Sequence, residues 1–330
     1  MGDGDTPFFV VGNDRSGTTV LRLVLDRSAE AAVPPESMFL LDFAPVRRHG
    51  GLDDPARAAR FLAEVWSHPR VQLWGLDDEP PAVPPGLSHA GAYRFAVESP
   101  YRAYARREGK ERFGDKTPAY VHAVDELVAV WPDARVVVLV RDARDVALSI
   151  AKMPFGPNNP YAAAAWWARG VQAGLAAERR YPEQVLTVRY EDLVAKPEAT
   201  VRRVCDHVRL GYNSEMLAIE RAGPGKIVSE QSDWYTGVSS PISAAASGRW
   251  RTTMPEEDRR VVVAVAGPEL RELGYDAGGD EVPVTRARAL AYTAHDAALR
   301  GVHAFRLRIL QEHGRELRYV VRRKLAGARG

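Results

Sequence analysis

The chain has 330 residues, of which 45% are hydrophobic and 27% are charged, so it can bury a sizeable core without disulfides or a structural metal. Its single cysteine, Cys205, excludes a disulfide framework within the chain and a zinc site built from cysteines, and its apolar surroundings indicate a core residue. The first residues lack the pattern of a signal peptide, and no stretch approaches the roughly 18 apolar residues of a membrane span. We therefore expect a cytoplasmic protein that does not span a membrane.

The net charge of +2 is distributed unevenly along the chain. Residues 283–330 hold 11 Lys and Arg against three Asp and Glu, a net charge of +8, so the rest of the chain carries −6. An incomplete apolar stripe predicts a long basic helix over residues 285–324, with interruptions at Gly301 and Gly314. This segment could pack against the acidic body, form a homodimer, or bind an acidic partner or a membrane surface. It contains no known nucleic-acid-binding module, so no nucleic-acid partner is expected.

Three short apolar runs predict strands, and a helical pattern follows each of them. The strands are predicted at residues 8–11, 136–140 and 185–189, and the helices at residues 20–25, 143–152 and 197–208. Strands that alternate with helices, and that are apolar without alternation, are typical of a parallel sheet buried on both faces. The sequence therefore predicts an α/β fold in three layers, with a mostly parallel central sheet flanked by helices.

A glycine-rich turn separates the first predicted strand from its helix. Residues 12–19 have the spacing of an anion-binding loop, in which backbone N–H groups and a helix N-terminus face an anionic group. A Walker A loop would need a lysine where Thr18 stands, and the cation has moved back to Arg15. The strand at 136–140 ends in Arg141 rather than in a metal-binding aspartate. These differences disfavour a magnesium-dependent nucleoside triphosphatase.

Four motifs resemble those of sulfotransferases that use 3′-phosphoadenosine 5′-phosphosulfate (PAPS), and they occur in the order of that family. Arg15–Thr19 is similar to the 5′-phosphosulfate loop, and Val140–Ser149 is similar to the 3′-phosphate motif. Gly114–Pro118 and Arg189–Leu193 resemble two further family landmarks. The arginine in the first loop is typical of the bacterial and tyrosylprotein-type branch. The resemblance implies a P-loop-like α/β fold and metal-independent sulfuryl transfer from PAPS to an acceptor hydroxyl or amine, with PAP as the product.

Sulfuryl transfer requires cations at the leaving oxygen, where negative charge grows as the bond breaks, and a base at the acceptor. By resemblance, Arg15 and Lys116 are the candidate cations, because Arg15 lies in the phosphate loop and Lys116 matches a family lysine. Glu36 is the candidate general base, since the tyrosylprotein-type branch carries its catalytic glutamate at a similar distance from the loop. The histidine base of the cytosolic branch would fall at Pro118, which leaves His122 as a reserve candidate.

The resemblance also implies which residues bind the nucleotide. Arg141 and Ser149 are expected to bind the 3′-phosphate, because arginine offers a planar fork and serine a hydroxyl donor. Tyr190 matches a tyrosine near the base, with core packing as the alternative. Ser247 and Arg249 lie in a segment that resembles the loop closing over the cofactor, and Ser247, one residue from the family position, is expected at the leaving oxygen. The full cofactor-binding set is Arg15, Ser16, Gly17, Thr18, Thr19, Arg141, Ser149, Tyr190 and Arg249.

The rest of the chain is assigned by composition and by exclusion. Residues 44–112 are rich in Pro, Arg, Ala and Trp, which predicts helices with loops, and we expect this insertion to shape the acceptor pocket. Residues 223–255 predict one long loop. The chain therefore divides into a sulfotransferase domain at residues 1–282 and a basic helical extension at residues 283–330.

Two other classes of function remain as alternatives. A P-loop small-molecule kinase would need a loop lysine and a metal-holding aspartate, and the sequence offers neither at the expected positions. A non-enzymatic nucleotide-binding or interaction protein would have no use for an intact set of Arg15, Glu36 and Lys116. No motif in the sequence indicates which acceptor is sulfated.

Overall fold

A computed structural model describes residues 6–153, 156–221, 242–278 and 283–309. Two compact units make up the chain, one of residues 1–140 with 173–244 and the other of residues 141–172 with 245–330. The first unit contains the sheet, and the second contains the segment that follows the fourth strand together with the C-terminal helices. Within the described residues, no helix is both long enough and apolar enough to cross a membrane.

A five-stranded sheet forms the centre of the first unit. Its strands are β1 Phe8–Gly12, β2 Ala31–Ala32, β3 Arg112–Lys116, β4 Arg135–Val140 and β5 Val185–Arg189. They lie in the order β2-β3-β1-β4-β5, and every neighbouring pair is parallel. Helices pack against this sheet, so the predicted α/β class with a parallel central sheet is confirmed.

The two central strands are apolar along their length because both of their faces are covered. Every residue of β1 is buried, and in β4 only Arg135 is partly exposed. β1 lies in register with both of its neighbours, since Val10 is opposite Lys116 in β3 and Gly12 is opposite Leu139 in β4. The carboxyl ends of β1, β3 and β4 therefore meet at one edge of the sheet.

The first helices begin at positions that local sequence signals explain. Helices α1 to α6 are Thr18–Asp26, Phe39–His49, Pro55–Trp66, Pro69–Gln72, His89–Arg107 and Val124–Val130, and a 3₁₀ helix spans Pro118–Ala123. Asp54 caps α3 by accepting the Arg57 N–H at 2.8 Å, and Ser88 caps α5 by accepting the Gly91 N–H at 3.2 Å. Helices thus occupy most of residues 44–112, as the composition predicts, apart from the proline-rich stretch between α4 and α5.

The helices after β4 belong to both units. Helices α7 to α13 are Ala143–Ile150, Pro160–Arg180, Tyr190–Ala195, Pro197–Val208, Trp250–Thr253, Glu256–Glu272 and Arg286–Ile309. In the first unit, α9 and α10 follow β5, and Cys205 on α10 is fully buried in the apolar core beside α1. Burial raises the pKa of the Cys205 thiol to about 11, which fits a core residue rather than a nucleophile.

Helix α13 docks within the second unit through polar and aromatic contacts. The Asp296 side chain is 1% exposed and accepts both the backbone N–H of Asn158 at 2.8 Å and its side-chain amide at 3.1 Å. The Tyr292 ring stacks on Tyr161 with the centroids 5.6 Å apart. The described part of the basic segment therefore packs against its own unit, which was one of the alternatives for its role.

Two sequence predictions are wrong where the structure describes them. Helix α13 continues through Gly301, since a single glycine costs a helix only about 1 kcal/mol. The segment 223–255 is not a loop throughout, because its described part contains a 3₁₀ helix at Ala244–Ala246 and then α11. The remaining parts of these predictions, which are residues 223–241 and 310–324, lie outside the described residues.

Candidate active site

The loop between β1 and α1 curves closely over the edge of the sheet. Gly12 has a φ of +146°, and a Cβ atom there would lie 2.3 Å from Leu139 O, so only glycine allows this approach. Arg15 and Gly17 have left-handed φ values of 68° and 91°, in a turn whose successive backbone N–H groups can converge on an anion. Ser16 is fully buried, and its Oγ has no hydrogen-bond partner among the described residues. This geometry supports the interpretation of an anion-binding loop.

Tyr190 covers the phosphate loop from the first turn of α9. It directly follows β5 and is 6% exposed. A Cβ atom at Gly17 would lie 2.3 Å from Tyr190 Cδ2, so the ring rests directly on the glycine. Tyr190 therefore packs against the loop, as the alternative interpretation predicted. Its contact with the nucleotide base stays a prediction.

Lys116 and Glu36 form a buried ion pair in the first unit. Lys116 is the last residue of β3, and Glu36 lies in the segment between β2 and α2. The Lys116 ammonium group donates a hydrogen bond to Glu36 Oε1, and the two side chains are only 3% and 16% exposed. The structure thus brings together the two residues that the sequence analysis assigned as cation and base.

Lys116 keeps Glu36 in its ionised form. Burial raises the pKa of Glu36, but the charge and the hydrogen bond of Lys116 oppose this effect. The charges of Arg70 and Arg22 act in the same direction, and the net pKa of Glu36 lies below its ordinary value. Glu36 is therefore a carboxylate at neutral pH, which a group that accepts a proton must be.

A second carboxylate, Asp14, lies inside the phosphate loop and interacts electrostatically with Glu36. Burial and the Glu36 charge raise the pKa of Asp14 to about 6, against the opposing charges of Lys116 and Arg15. The loop and the ion pair are therefore one electrostatic site within the first unit. Asp14 was not among the predicted residues, because nothing in the sequence indicates that it interacts with a glutamate 22 positions later.

The motif that follows β4 organises a cluster in the second unit. Arg141 is 8% exposed, donates from Nη2 to Ala246 O, and lies 4.0 Å from Asp145 Oδ2. Asp145 accepts the backbone N–H groups of Gly248 at 2.6 Å and Trp250 at 3.0 Å. The Asp145 carboxylate therefore holds residues 246–250, called the later segment below, against α7. No sequence pattern indicated this role.

Arg144 supports the same segment by stacking. Its side chain is 3% exposed, and its guanidinium group donates to both carboxylate oxygens of Asp142, at 2.9 and 2.7 Å. The guanidinium carbon lies 3.6 Å from the ring centroid of Trp250. Arg144 is thus held by a salt bridge and a cation–π contact inside the second unit.

The other predicted residues differ in their exposure. Ser149 and Ser247 are partly buried, whereas Arg249 and His122 are exposed. Their roles remain predictions. Across the described ranges, no group of three or more His, Cys, Asp or Glu side chains is arranged to hold a metal ion.

Comparison with known proteins identifies the relatives of this chain. The family model described as "Sulfotransferase family" matches residues 7–214. The nodulation protein NoeE of Sinorhizobium fredii is 25% identical over 301 residues, which cover 81% of this chain and 65% of that protein, just under two thirds of its length. Protein-tyrosine sulfotransferase 1 of Danio rerio is 22% identical over 285 residues, which cover 81% of this chain and 72% of that protein.

Two solved structures share the fold. The sulfotransferase domain of the Synechococcus PCC 7002 olefin synthase has a TM-score of 0.55 and 21% identity, covering 82% of this chain and 95% of that domain. The sulfotransferase domain from the curacin biosynthetic pathway has a TM-score of 0.54 and 20% identity, covering 82% and 98%. These similarities confirm the predicted P-loop-like α/β fold. Because the family model spans more than half of its length, the chain belongs to the sulfotransferase family, the enzymes that transfer a sulfuryl group from PAPS.

Proposed function

We propose that the protein transfers the sulfuryl group of PAPS to an acceptor hydroxyl or amine, with Glu36 as the general base and PAP as the product. The observation that carries this proposal is the buried ion pair between Glu36 and Lys116, which interacts with the phosphate loop. The pair offers a proton acceptor and a cation within one hydrogen bond of each other. In-line transfer needs a base beside the acceptor atom and a cation beside the leaving oxygen, and these two atoms lie on opposite sides of the sulfur.

The ion pair can couple the two halves of the reaction. As the acceptor oxygen bonds to sulfur, its proton passes to Glu36 and neutralises the carboxylate. Lys116 then loses the negative charge of its partner, so its ammonium group can donate toward the bridging oxygen. Negative charge grows on that oxygen as its bond to sulfur breaks and PAP leaves. Proton uptake and stabilisation of the leaving group are thereby linked.

The phosphate loop suits the 5′-phosphosulfate end of the donor. The buried Ser16 Oγ lacks a partner among the described residues, and a phosphate oxygen would supply one. Thr18 and Thr19 begin α1, where backbone N–H groups face anions, and Gly17 lets the chain approach closely. Arg15 is proposed to neutralise charge at the bridging oxygen together with the ion pair.

The 3′-phosphate is proposed to bind Arg141 and Ser149, with Arg249 joining them from the later segment. The phosphate loop follows β1 and the Arg141 motif follows β4, and these two strands are neighbours in the sheet. Ser247 is proposed to reach the leaving oxygen, and Tyr190 to contact the base.

The acceptor is proposed to enter beside Glu36, in a pocket shaped by residues 44–112. Helix α4 lies next to this point, because Trp74 Nε1 after α4 donates to Pro35 O at 3.0 Å and the charge of Arg70 on α4 acts on Glu36. Several relatives are named protein-tyrosine sulfotransferases. A tyrosine-containing peptide is therefore the first acceptor to test, ahead of sugars, lipids and small metabolites.

A screen with sulfur-labelled PAPS and a panel of acceptors, followed by mass spectrometry, tests the proposal. We expect a labelled product and PAP, and we expect Glu36→Gln to lower kcat about 10²- to 10⁴-fold while PAP still binds. Glu30→Gln is the matched control, because Glu30 is an exposed glutamate in the same unit. A wild-type rate in Glu36→Gln would contradict the base role. Metal-dependent turnover of ATP would instead support the kinase alternative, and PAP binding without transfer a non-enzymatic protein.

Three finer properties also belong to the proposal: metal-independent transfer, a cytoplasmic location, and a contact of the segment 283–330 with a second copy or another partner. The single cysteine, Cys205, is buried as a free thiol, which fits a reducing compartment. Leu290 on α13 is 72% exposed and offers apolar surface to a partner. If the chain dimerises there, Leu290→Lys should lower the molar mass measured by light scattering, and an unchanged mass would count against that contact.

A further inference from the structure

Three buried hydroxyl groups next to the Glu36–Lys116 ion pair connect the chain segment that carries Glu36 to the segment that carries Lys116. Ser37 Oγ is 2.7 Å from Tyr120 Oη and 3.2 Å from Thr117 Oγ1. The Ser37 backbone N–H also donates to Thr117 Oγ1 at 3.1 Å. All three residues are fully buried. Because Ser37 follows the base and Thr117 follows the lysine in the chain, these bonds tie together the backbones that carry the pair.

Tyr120 connects this cluster to the start of α2. Its hydroxyl oxygen accepts the backbone N–H of Leu40, in the first turn of α2, at 3.1 Å. Burial, with the charge of Asp115, raises the pKa of Tyr120 well above its usual range, so the hydroxyl keeps its proton. That proton can be donated to Ser37, whose own proton can pass on to Thr117. The Asp115 carboxylate interacts with the Ser37 and Thr117 hydroxyls as well, and Tyr120 is the member that extends the cluster to α2.

The backbone that these bonds hold is in a conformation it would not adopt by itself. Met38, between Ser37 and α2, has a φ of 56°, in the left-handed region that non-glycine residues avoid. Such a residue costs of the order of 1 kcal/mol and persists only where its surroundings impose it. The hydroxyl cluster and the Leu40 N–H bond flank Met38 on both sides, and the Phe39 N–H donates across it to Ser37 O at 2.6 Å, so these contacts together hold the turn.

We propose that Tyr120 is a positioning residue for sulfuryl transfer, which sets the place of Glu36 relative to Lys116 through Ser37 and Thr117. This inference rests on the proposed roles of Glu36 and Lys116. Without the phenol hydroxyl, the segment at Ser37 loses its anchor to α2, and the carboxylate moves away from the ammonium group. A displacement of about 1 Å in an active site can cost about 10²-fold in rate.

A loosened ion pair has a signature that a general loss of stability lacks. The charged groups that act on Glu36 include Lys116, Arg70, Arg22 and Asp14. Lys116 contributes the largest of the effects that lower the pKa of Glu36, and burial works in the opposite direction. When the pair loosens, burial prevails, so the pKa of Glu36 must rise. A structural role alone would reduce the folded fraction and leave this pKa in place.

The test uses Tyr120→Phe in the full chain with PAPS, PAP and water as the only reactants. NMR titration of the Glu36 side-chain carboxyl, assigned by its absence in Glu36→Gln, should show its pKa raised by about one unit. In transfer to water, a water oxygen bonds to sulfur and gives its proton to Glu36, while the bond from sulfur to the bridging oxygen breaks to release PAP and sulfate. This reaction should slow about 10- to 100-fold. PAP affinity by calorimetry should stay within about twofold of wild type, because the phenol hydroxyl bonds to Ser37 and Leu40 rather than to the loop.

Two control sets keep the inference decidable even if Tyr120→Phe folds poorly. Thr117→Ser keeps the hydroxyl and should behave as wild type, whereas Thr117→Val removes it and should reproduce both effects. Ser99→Ala is the matched control, since Ser99 is a buried hydroxyl that accepts the Trp66 indole N–H at 2.7 Å and donates to Ala96 O at 3.0 Å. It should lower stability and leave the titration and turnover unchanged.

Unchanged Glu36 titration and turnover in Tyr120→Phe and Thr117→Val would overturn the inference. The same would follow if Ser99→Ala moved the titration as far as Tyr120→Phe does. Failure of the proposed function is a separate result, namely wild-type turnover in Glu36→Gln and Lys116→Ala. In that case the NMR titration still decides whether Tyr120 holds Glu36 against Lys116, because it does not depend on turnover.

Discussion

Replacing Asp14 with asparagine should stabilise the fold and strengthen the binding of anions to the phosphate loop. The wild-type carboxylate is partly buried and interacts with Glu36, and its pKa is raised from 3.8 to about 6. Lys116 and Arg15 oppose this rise without cancelling it. Asparagine has nearly the same shape but no charge, so the variant removes the repulsion and keeps the volume.

The magnitude follows from the difference between the two pKa values. A rise from 3.8 to about 6 means that the folded state disfavours the ionised carboxylate by about 3 kcal/mol. Between about pH 4 and pH 6 this penalty grows with pH, because the folded chain holds a proton that the unfolded chain has lost. Asp14→Asn should therefore gain about 1–3 kcal/mol at pH 8, less at pH 5, and nothing near pH 4.

Anion binding should improve over the same pH range. A unit charge near a partly buried phosphate site repels the ligand by about 1–2 kcal/mol, which is about fivefold to thirtyfold in Kd. PAP should therefore bind Asp14→Asn that much more tightly at pH 8. At pH 5 the wild-type carboxyl is largely protonated, so the two proteins should bind PAP with similar affinity.

Urea unfolding of wild type and Asp14→Asn at a series of pH values, with calorimetric titration of PAP, measures both effects. Asp77→Asn is the control, because Asp77 is an exposed aspartate in the same unit. A stability gain that is the same at pH 5 and pH 8 would refute the reasoning. Weaker PAP binding in Asp14→Asn would refute it too, since the carboxylate would then have to support the loop by a hydrogen bond.

Three further outcomes are expected. Gly17→Ala should lower the free energy of unfolding by at least about 2 kcal/mol in urea and should abolish PAP binding. The reason is that Gly17 has a φ of 91° and the new Cβ would lie 2.3 Å from Tyr190. Wild-type stability and binding would contradict this packing. Asp145→Ala should weaken PAP binding at least about tenfold by calorimetry, because the backbone N–H groups of Gly248 and Trp250 lose their acceptor. Unchanged binding would show that the segment around Gly248 does not contribute to nucleotide binding. A chelator should leave turnover of PAPS unchanged, and a loss restored by added metal would contradict metal independence.

The sheet was predictable only where its strands are uniformly apolar. The run 136–140 is buried along its length, and few other environments suit such a run. β2 and β3 carry no such signal, since β2 has two residues and β3 ends in Asp115 and Lys116. In the folded chain, side chains from other elements contact both charges. Asp115 accepts the Tyr101 hydroxyl at 3.0 Å, and Lys116 is paired across 80 positions.

The site residues that could be predicted are those marked by motif spacing or by resemblance to a family. The contacts that depend on tertiary packing could not be predicted. The glycine spacing of residues 12–19 indicates an anion loop, and the offset of Glu36 from that loop matches a family base. The bonds from Asp145 to the later segment span more than 100 positions. The hydroxyl cluster around Ser37 joins residues 80 positions apart. No local pattern encodes contacts at that separation, since only the folded arrangement of strands and helices brings them together.

Trp250 gives the protein an intrinsic optical reporter. Its ring is 7% exposed and lies near two guanidinium groups, with the guanidinium carbon of Arg144 at 3.6 Å and that of Arg251 at 4.5 Å from the ring centroid. Indole fluorescence responds to the charges around the ring, and Arg249 is the adjacent residue. An emission change on adding PAP, absent in Trp250→Phe, would let nucleotide occupancy be followed on unlabelled protein before any acceptor is known.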